Sequence, residues 1–212
     1  MSVKLIWITP NAENIISFCA RVSNPQNQHN YSTSSKLLKY CIKNKHWSVF
    51  EMTSMCVEIQ TTRAISPQIL RHRSFNFQEF SQRYSSDISI DIPHFRIQDI
   101  KNRQNSLDII DNDKQQLLQQ KANHLFEQSI DLYHELINDG VAKETARMIL
   151  PLSTKTTIYM SGTIRNWIHY LQVRCDHSTQ KEHRDIAMKI LSILQEQLPS
   201  IGDLIFNQSN DE

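Results

Sequence analysis

Between Arg71 and Tyr84 the chain reads Arg-His-Arg-Ser-Phe-Asn-Phe-Gln-Glu-Phe-Ser-Gln-Arg-Tyr. Three Arg, one His, one Glu and five Ser, Asn or Gln side chains share these fourteen residues, with no Lys and no Gly. Arg presents a planar fork of donors that grips a phosphate or carboxylate at two points, whereas Lys is a point charge. Three Arg without a Lys therefore suggest shaped recognition of an anion. The competing reading is a surface helix end whose cations complement the dipole at its C-terminus, and spacing alone leaves both open.

Local signals say how this stretch is held. Ser66-Pro67 opens a helix, because Ser caps free amides and Pro fits the first helical position. Gln68 to about His72 is thus expected as a short helix with Gln68, Arg71 and His72 on one face. Phe75 and Phe77 alternate with Ser74, Asn76 and Gln78, which predicts extended chain with aromatics packed one way and polar groups turned the other.

Composition narrows the function classes. The chain has three glycines, Gly140, Gly162 and Gly202, against a usual share of about 7%. Neither a Rossmann fingerprint nor a P-loop can be built from them. A dinucleotide would have to be held by side chains, and Arg71-His72-Arg73 can do that. Lys plus Arg number 23 against 22 Asp plus Glu, so no broad field for nucleic acid or a membrane surface exists. A nucleic-acid module using Arg71, Arg73 and Arg83 on phosphates would lack surrounding charge. Cys19, Cys41, Cys56 and Cys175 lack paired spacing, the N-terminal apolar run is too short for a signal peptide, and no run approaches the about 18 residues of a membrane span. A cytoplasmic protein of one domain, residues 1–212, is expected.

In chain order, Val3 to Ile8 reads as a strand and Thr9-Pro10 as a capped helix start, with Ile15, Ile16, Cys19 and Val22 as its apolar face. Asn24 to Ser34 is a polar loop. A helix from about Ser35 to Asn44 buries Leu37, Leu38, Cys41 and Ile42 and delivers His46, Ser48 and Glu51. Met55, Val57 and Ile59 mark a half-buried strand. Ile88, Ile90 and Ile92 predict a strand ended by Pro93, and Phe95 to Asp113 an irregular polar excursion. A long helix from about Asp113 to Asn138 carries Leu117, Leu118, Leu125, Ile130, Tyr133 and Ile137 as core or subunit contact, with Gly140 just beyond it. Ala142 to Leu150 is a helix stopped by Pro151. Thr156 to Met160 is β-prone, Ile164 to Val173 a helix, and Thr179 to Gln197 a final helix with Ile186, Ile190, Ile193 and Leu194 inward.

Candidate residues lie on these elements. Arg147 sits among apolar neighbours and needs an anionic partner if buried; the other reading is an Arg reaching to water. Arg165 and His169, four apart, share a helix face. Cys175, His177 and His183 have ligand chemistry, but their spacing matches no standard zinc pattern, and no metal is expected.

Arg-His-Arg, seven residues, then Ser, filled here by Arg71, His72, Arg73 and Ser81 and followed by Gln82-Arg83-Tyr84, resembles the signature of the flavin-dependent thymidylate synthases. Ala146-Arg147-Met148-Ile149-Leu150-Pro151 is similar to that family's Ala-Arg, apolar run and Pro. The resemblance spans the chain from the His46 loop to Arg184, with motifs in the family's order. It implies an α+β fold, a sheet flanked by helices, assembled as a homotetramer with sites between subunits. It implies reductive methylation of dUMP to dTMP, with methylenetetrahydrofolate as carbon donor and NADPH as reductant through FAD.

By the same resemblance, FAD is met by Ser48, Arg71, His72, Arg73, Glu79, Thr163, Ile164, Arg165 and His169, with His46 and Glu51 nearby. The nucleotide is met by Gln68, Ile69, Leu70, Arg71, Glu79, Phe80, Ser81, Gln82, Arg83, Arg147 and Arg174. Arg174, at the uracil, is the catalytic candidate, stabilising charge as C5 becomes electron-rich. Ser81 reads as a nucleotide ligand rather than a nucleophile, since no adjacent base is evident. The chain departs from the family where a His usually stands four residues after the Arg, followed by Ala. Ser178 and Thr179 occupy those places and His177 lies one early, while Glu182 and Arg184 keep theirs. A flavin-containing protein without turnover is the remaining alternative.

Overall fold

The computed structural model describes residues 1–108, 111–203 and 205. Its elements run β1 (Ser2–Ile8), α1 (Ala12–Ala20), α2 (Ser34–Lys43), β2 (Ser54–Thr62), α3 (Ser66–Leu70) and β3 (Asn76–Glu79). They continue with β4 (Arg96–Gln98), β5 (Ser106–Asp108), α4 (Asn112–Asn138), α5 (Lys143–Ala146), β6 (Lys155–Thr163), α6 (Ile164–Arg174), α7 (Lys181–Gln197) and α8 (Pro199–Gly202). Strands β1, β2, β6 and β3 form an antiparallel sheet in that order. With the helices this gives the expected α+β class.

The chain divides into two compact units. The first comprises Met1–Ile59, Gln68–Gln78 and Tyr159–Glu212; the second comprises Gln60–Pro67 and Glu79–Ile158. In the first, α6 packs on α7, α7 on α8 and α1 on α2. The core holds Ile16, Leu38, Ile42, Phe50, Met55, Val57, Trp167, Leu171, Ile186, Ile190 and Leu194. Burial of each large apolar side chain stabilises by about 1.5–3 kcal/mol. Trp167 meets the polar cost of its burial by donating Nε1–H to Met55 O at 3.1 Å. In the second unit, α4 packs on α5, with Tyr133 and Ala146 buried.

Local signals that were satisfied locally are where expected. α4 is capped by Asp111, whose carboxylate accepts from Asp113 N and Lys114 N, and ends at Gly140, at φ 81°. α6 is capped by Thr163, whose Oγ1 accepts from Asn166 N.

Several expectations are corrected. Helix α1 starts at Ala12 behind Asn11, in left-handed backbone at φ 55°, because Thr9 Oγ1 instead donates to Ser54 O across the sheet. Val22 lies past the helix end and is exposed. The Ile88–Ile92 stretch is one bridge, Ile90 to Thr154, and not a strand. The excursion after Phe95 contains the antiparallel pair β4 and β5, with Arg96 opposite Asp108; its residues 109 and 110 lie outside the described ones. Ala142–Leu150 is only the single-turn helix α5 followed by a 3-10 turn, Arg147–Ile149. Met148 and Leu152 there are exposed.

Candidate functional site

In the first unit the Arg-His-Arg turn leaves α3 at Leu70 and runs toward β3. Asn166 Nδ2, in the first turn of α6, donates to Ser74 O at 2.7 Å and ties the turn to that helix. Arg71 and Arg73 are exposed, while His72 is half-buried. His72 Nε2 accepts from Arg174 Nε at 2.8 Å. Two residues assigned to different ligands are thus joined directly. The His72 ring stands edge-on to Tyr170 at 4.8 Å between centroids and lies 6.3 Å from His183. Burial, then the charges of Arg174 and His169, push its pKa down to about 4. His72 is therefore neutral near pH 7 and free to accept from the guanidinium. Gln68, half-buried on α3, donates to Gln180 Oε1 at 2.6 Å.

A cavity of about 580 Å³ opens beside this turn, lined by Lys45, Trp47, Glu51, Ser74, Arg165, Asn166, His169 and Gln172 among others. Arg165 and His169 share it because they lie one helical turn apart. Arg165 is held by a hydrogen-bonded ion pair to Glu51. Two cations, two flat rings and two amides suit part of FAD, which presents phosphates, sugars and aromatic rings. Ser48 is exposed on the Trp47–Glu51 turn, and Thr163 is engaged in capping α6. Ile69 and Ile164 are 0% exposed, so only their backbone could meet a ligand.

In the second unit, Glu79 ends β3 inside a compact network. Its Oε1 accepts from Ser66 Oγ at 2.6 Å and Thr156 Oγ1 at 2.9 Å, and pairs with Arg63 Nη1 at 2.9 Å. Ser66, expected as a helix cap, is used on this carboxylate instead. Arg63 Nη2 also donates to Phe80 O at 2.7 Å. This fixes the backbone that delivers Ser81 and Gln82, and it leaves Glu79 with a structural duty besides any ligand contact.

Ser81 starts a tight turn in which its Oγ accepts from Arg83 N at 3.4 Å. Among the described residues no general base bonds to that hydroxyl. Arg83 pairs with the Glu144 carboxylate at 3.3 Å, and Arg147 Nε donates to Glu144 O at 3.4 Å. The Arg83 pair is exposed on both sides and is worth at most about 1 kcal/mol, so an anion of higher charge can displace it. Arg147 is half-buried. Gln82 is 6% exposed, and its Nε2 has no partner among the described residues. Leaving a buried donor unpaired costs about 1–3 kcal/mol, a cost that an acceptor atom of a ligand would remove. Arg83 and Arg147 thus meet at Glu144, one on its carboxylate and one on its carbonyl.

Sequence reasoning missed Lys45, Trp47 and Gln172 on the cavity wall, and the Tyr170–His183 pair behind His72. Gln172 could have been found, since it continues the helix face of Arg165 and His169. Lys45 adopts left-handed backbone, φ 58°, a conformation that a Lys does not signal. Among the remaining candidates, His177 Nδ1 lies 3.2 Å from Arg184 Nη1, and His183 Nε2 is bonded to Tyr170.

Comparison with known proteins gives the same family from independent directions. The family model described as Thymidylate synthase complementing protein matches residues 4–200. A probable flavin-dependent thymidylate synthase of Paramecium bursaria Chlorella virus 1 is 53% identical over 210 residues, covering 95% of this chain and 97% of the relative. The flavin-dependent thymidylate synthase of a Synechocystis species is 52% identical over 191 residues, covering 90% and 87%. The crystal structure of the UMP/dUMP methylase PolB from Streptomyces cacaoi, bound with 5-Br dUMP, superposes with a TM-score of 0.85 at 22% identity over 98% of this chain and 94% of that one, a likeness of fold. With its length matched nearly throughout, the chain belongs to the flavin-dependent thymidylate synthase family.

Proposed function

We propose that the chain makes dTMP from dUMP, taking the carbon from methylenetetrahydrofolate, releasing tetrahydrofolate, and using NADPH as reductant through FAD. The observation that carries this reading is the near full-length match to flavin-dependent thymidylate synthases. Because that match runs through both compact units, the chain is read as one functional domain. When bound, FAD supplies a two-electron carrier for hydride.

The residues then have separable tasks. Arg71, Arg73, Arg165, His169, His72, Glu79, Ser48 and the Thr163–Ile164 backbone are assigned to the flavin. Gln68, the Ile69–Leu70 backbone, Arg71, Glu79, Phe80, Ser81, Gln82, Arg83 and Arg147 are assigned to dUMP. Arg83 and Arg147 suit its phosphate, and Gln82 Nε2 suits one of its oxygens. Arg174 is the catalytic residue, its position fixed by His72 so that charge developing on the pyrimidine meets a donor already in place. The direct test is dTMP formation by purified protein given all four components. No dTMP, with the flavin still bleached by NADPH, would overturn the enzyme reading in favour of a flavin sensor.

Ser81 is proposed as a ligand, supported by the lack of any base at its hydroxyl among the described residues. Ser81→Ala should raise the Kd of dUMP about twofold to tenfold, the effect of one neutral hydrogen bond, and leave dTMP formation measurable. Abolished product at unchanged dUMP affinity would restore the nucleophile.

A homotetramer is proposed as the working form. Its support is the exposed row Leu117, Leu125 and Leu132 on α4, with Ile97 and Leu107 exposed in the same unit. These residues repeat at helical spacing and would be covered by another subunit. Light scattering should give four chains per particle; an active monomer would overturn the assembly. A cytoplasmic location fits the four free thiols. Among the described residues, no helix is long and apolar enough to cross a membrane.

A further inference from the structure

Behind Arg174 lies a polar pair that core packing does not require. Tyr170 and His183 are both 0% exposed. Tyr170 OH and His183 Nε2 are 3.0 Å apart, and His183 Nδ1 is buried with no partner among the described residues. Two apolar side chains of similar shape would fill the space without that orphan, at no loss of stability or with a gain. The pair therefore calls for another reason, and its surroundings offer one. Tyr170 and Arg174 are four apart on α6, His183 lies on α7, and His72 lies on the turn after α3. The His72 ring touches Tyr170 edge-on, and Phe75 and Trp167 stand 5.9 Å from Tyr170 on its other contacts.

Donor logic fixes the proton of His72 in this line. Arg174 Nε–H donates to His72 Nε2, so the His72 proton is on Nδ1. Burial holds the Tyr170 phenol protonated, well above its ordinary range. Burial and the charge of Arg174 push His183 down to about 3. Tyr170 OH and His183 Nε2 then share one hydrogen bond between two neutral groups. Near pH 7 the line carries one charge, on Arg174.

We propose that Tyr170 and His183 are positioning residues: their hydrogen bond fixes the ring against which His72 is set, so that His72 Nε2 always faces Arg174 Nε and the two Nη groups stay aimed for the pyrimidine. This rests on the assignment of Arg174 to the reacting base. Tyr170→Phe removes one hydroxyl and little volume. It should lower kcat per bound flavin about fivefold to tenfold, the effect of one hydrogen bond acting in the transition state, with the KM for dUMP within about twofold. In 15N-histidine-labelled protein the His72 ring signals should move away from the Nδ1–H tautomer. His183→Gln keeps both a donor and an acceptor and should retain most of kcat, whereas His183→Leu should match Tyr170→Phe. This second comparison decides the matter if Tyr170→Phe does not fold. Wild-type kcat with unmoved His72 signals in Tyr170→Phe, or equal losses in His183→Gln and His183→Leu, overturn the proposal. The ring signals need no turnover, so an Arg174→Ala enzyme running at full speed would overturn the role of Arg174 and not this contact.

Discussion

Arg174→Ala is expected to bind FAD at wild-type occupancy and to lose roughly 100-fold or more in turnover. The magnitude follows from removing one preorganised donor at developing negative charge, which costs about 10²–10³ in comparable sites. Its bond to His72 holds the guanidinium in the folded protein, as the proposed role requires. Lys at the same position would keep the charge but lose the fork, the Nε donor to His72 included, and should not restore the rate. Single-turnover dTMP formation with flavin already reduced measures the effect free of NADPH binding. A loss confined to flavin content, with normal turnover per bound flavin, would remove Arg174 from the chemistry.

Arg73→Ala should purify largely without FAD. Arg73 is exposed beside Ser74, whose carbonyl is anchored to α6 by Asn166, so the substitution leaves the turn standing and removes only its cation. A charge-assisted hydrogen bond is worth about 1.5–3 kcal/mol, or about 10-fold to 100-fold in affinity, enough to empty a site during purification. Arg73→Lys should recover only part of the flavin. Absorbance at the flavin band per chain reads the result directly, and full occupancy in the Ala variant would detach Arg73 from the cofactor.

The elements that could be read from sequence were those whose reasons are local. α4 is set by Asp111 and Gly140, α6 by Thr163, and β1 and β6 by β-prone runs, all within a few residues. What failed was decided across the chain. Thr9 reads locally as a cap but bonds Ser54, and Ser66 reads locally as a cap but bonds Glu79. The β4–β5 pair follows from a register between two three-residue segments, each with one apolar residue, Ile97 opposite Leu107, too short for a periodicity to show in the sequence. At the site, the Arg-rich turn and Arg147 were legible because resemblance marks them. The joining of His72 to Arg174, 102 residues apart, and the pairing of Tyr170 with His183 could not be read from either residue alone.

Gly162 gives the scarcity of glycine a further meaning. A Cβ placed there would lie 2.6 Å from Phe75 Cδ1 and 2.8 Å from Cε1, so this glycine lets an aromatic ring, not a phosphate, touch the backbone. In glycine-loop nucleotide folds the phosphate is held by peptide N–H groups, which no substitution can delete without rebuilding the chain path. Under the assignments proposed above, the cations offered to phosphates, Arg73, Arg83 and Arg147, are side chains. Under those assignments a single side-chain substitution would change affinity for a phosphate while the main chain stays where it is.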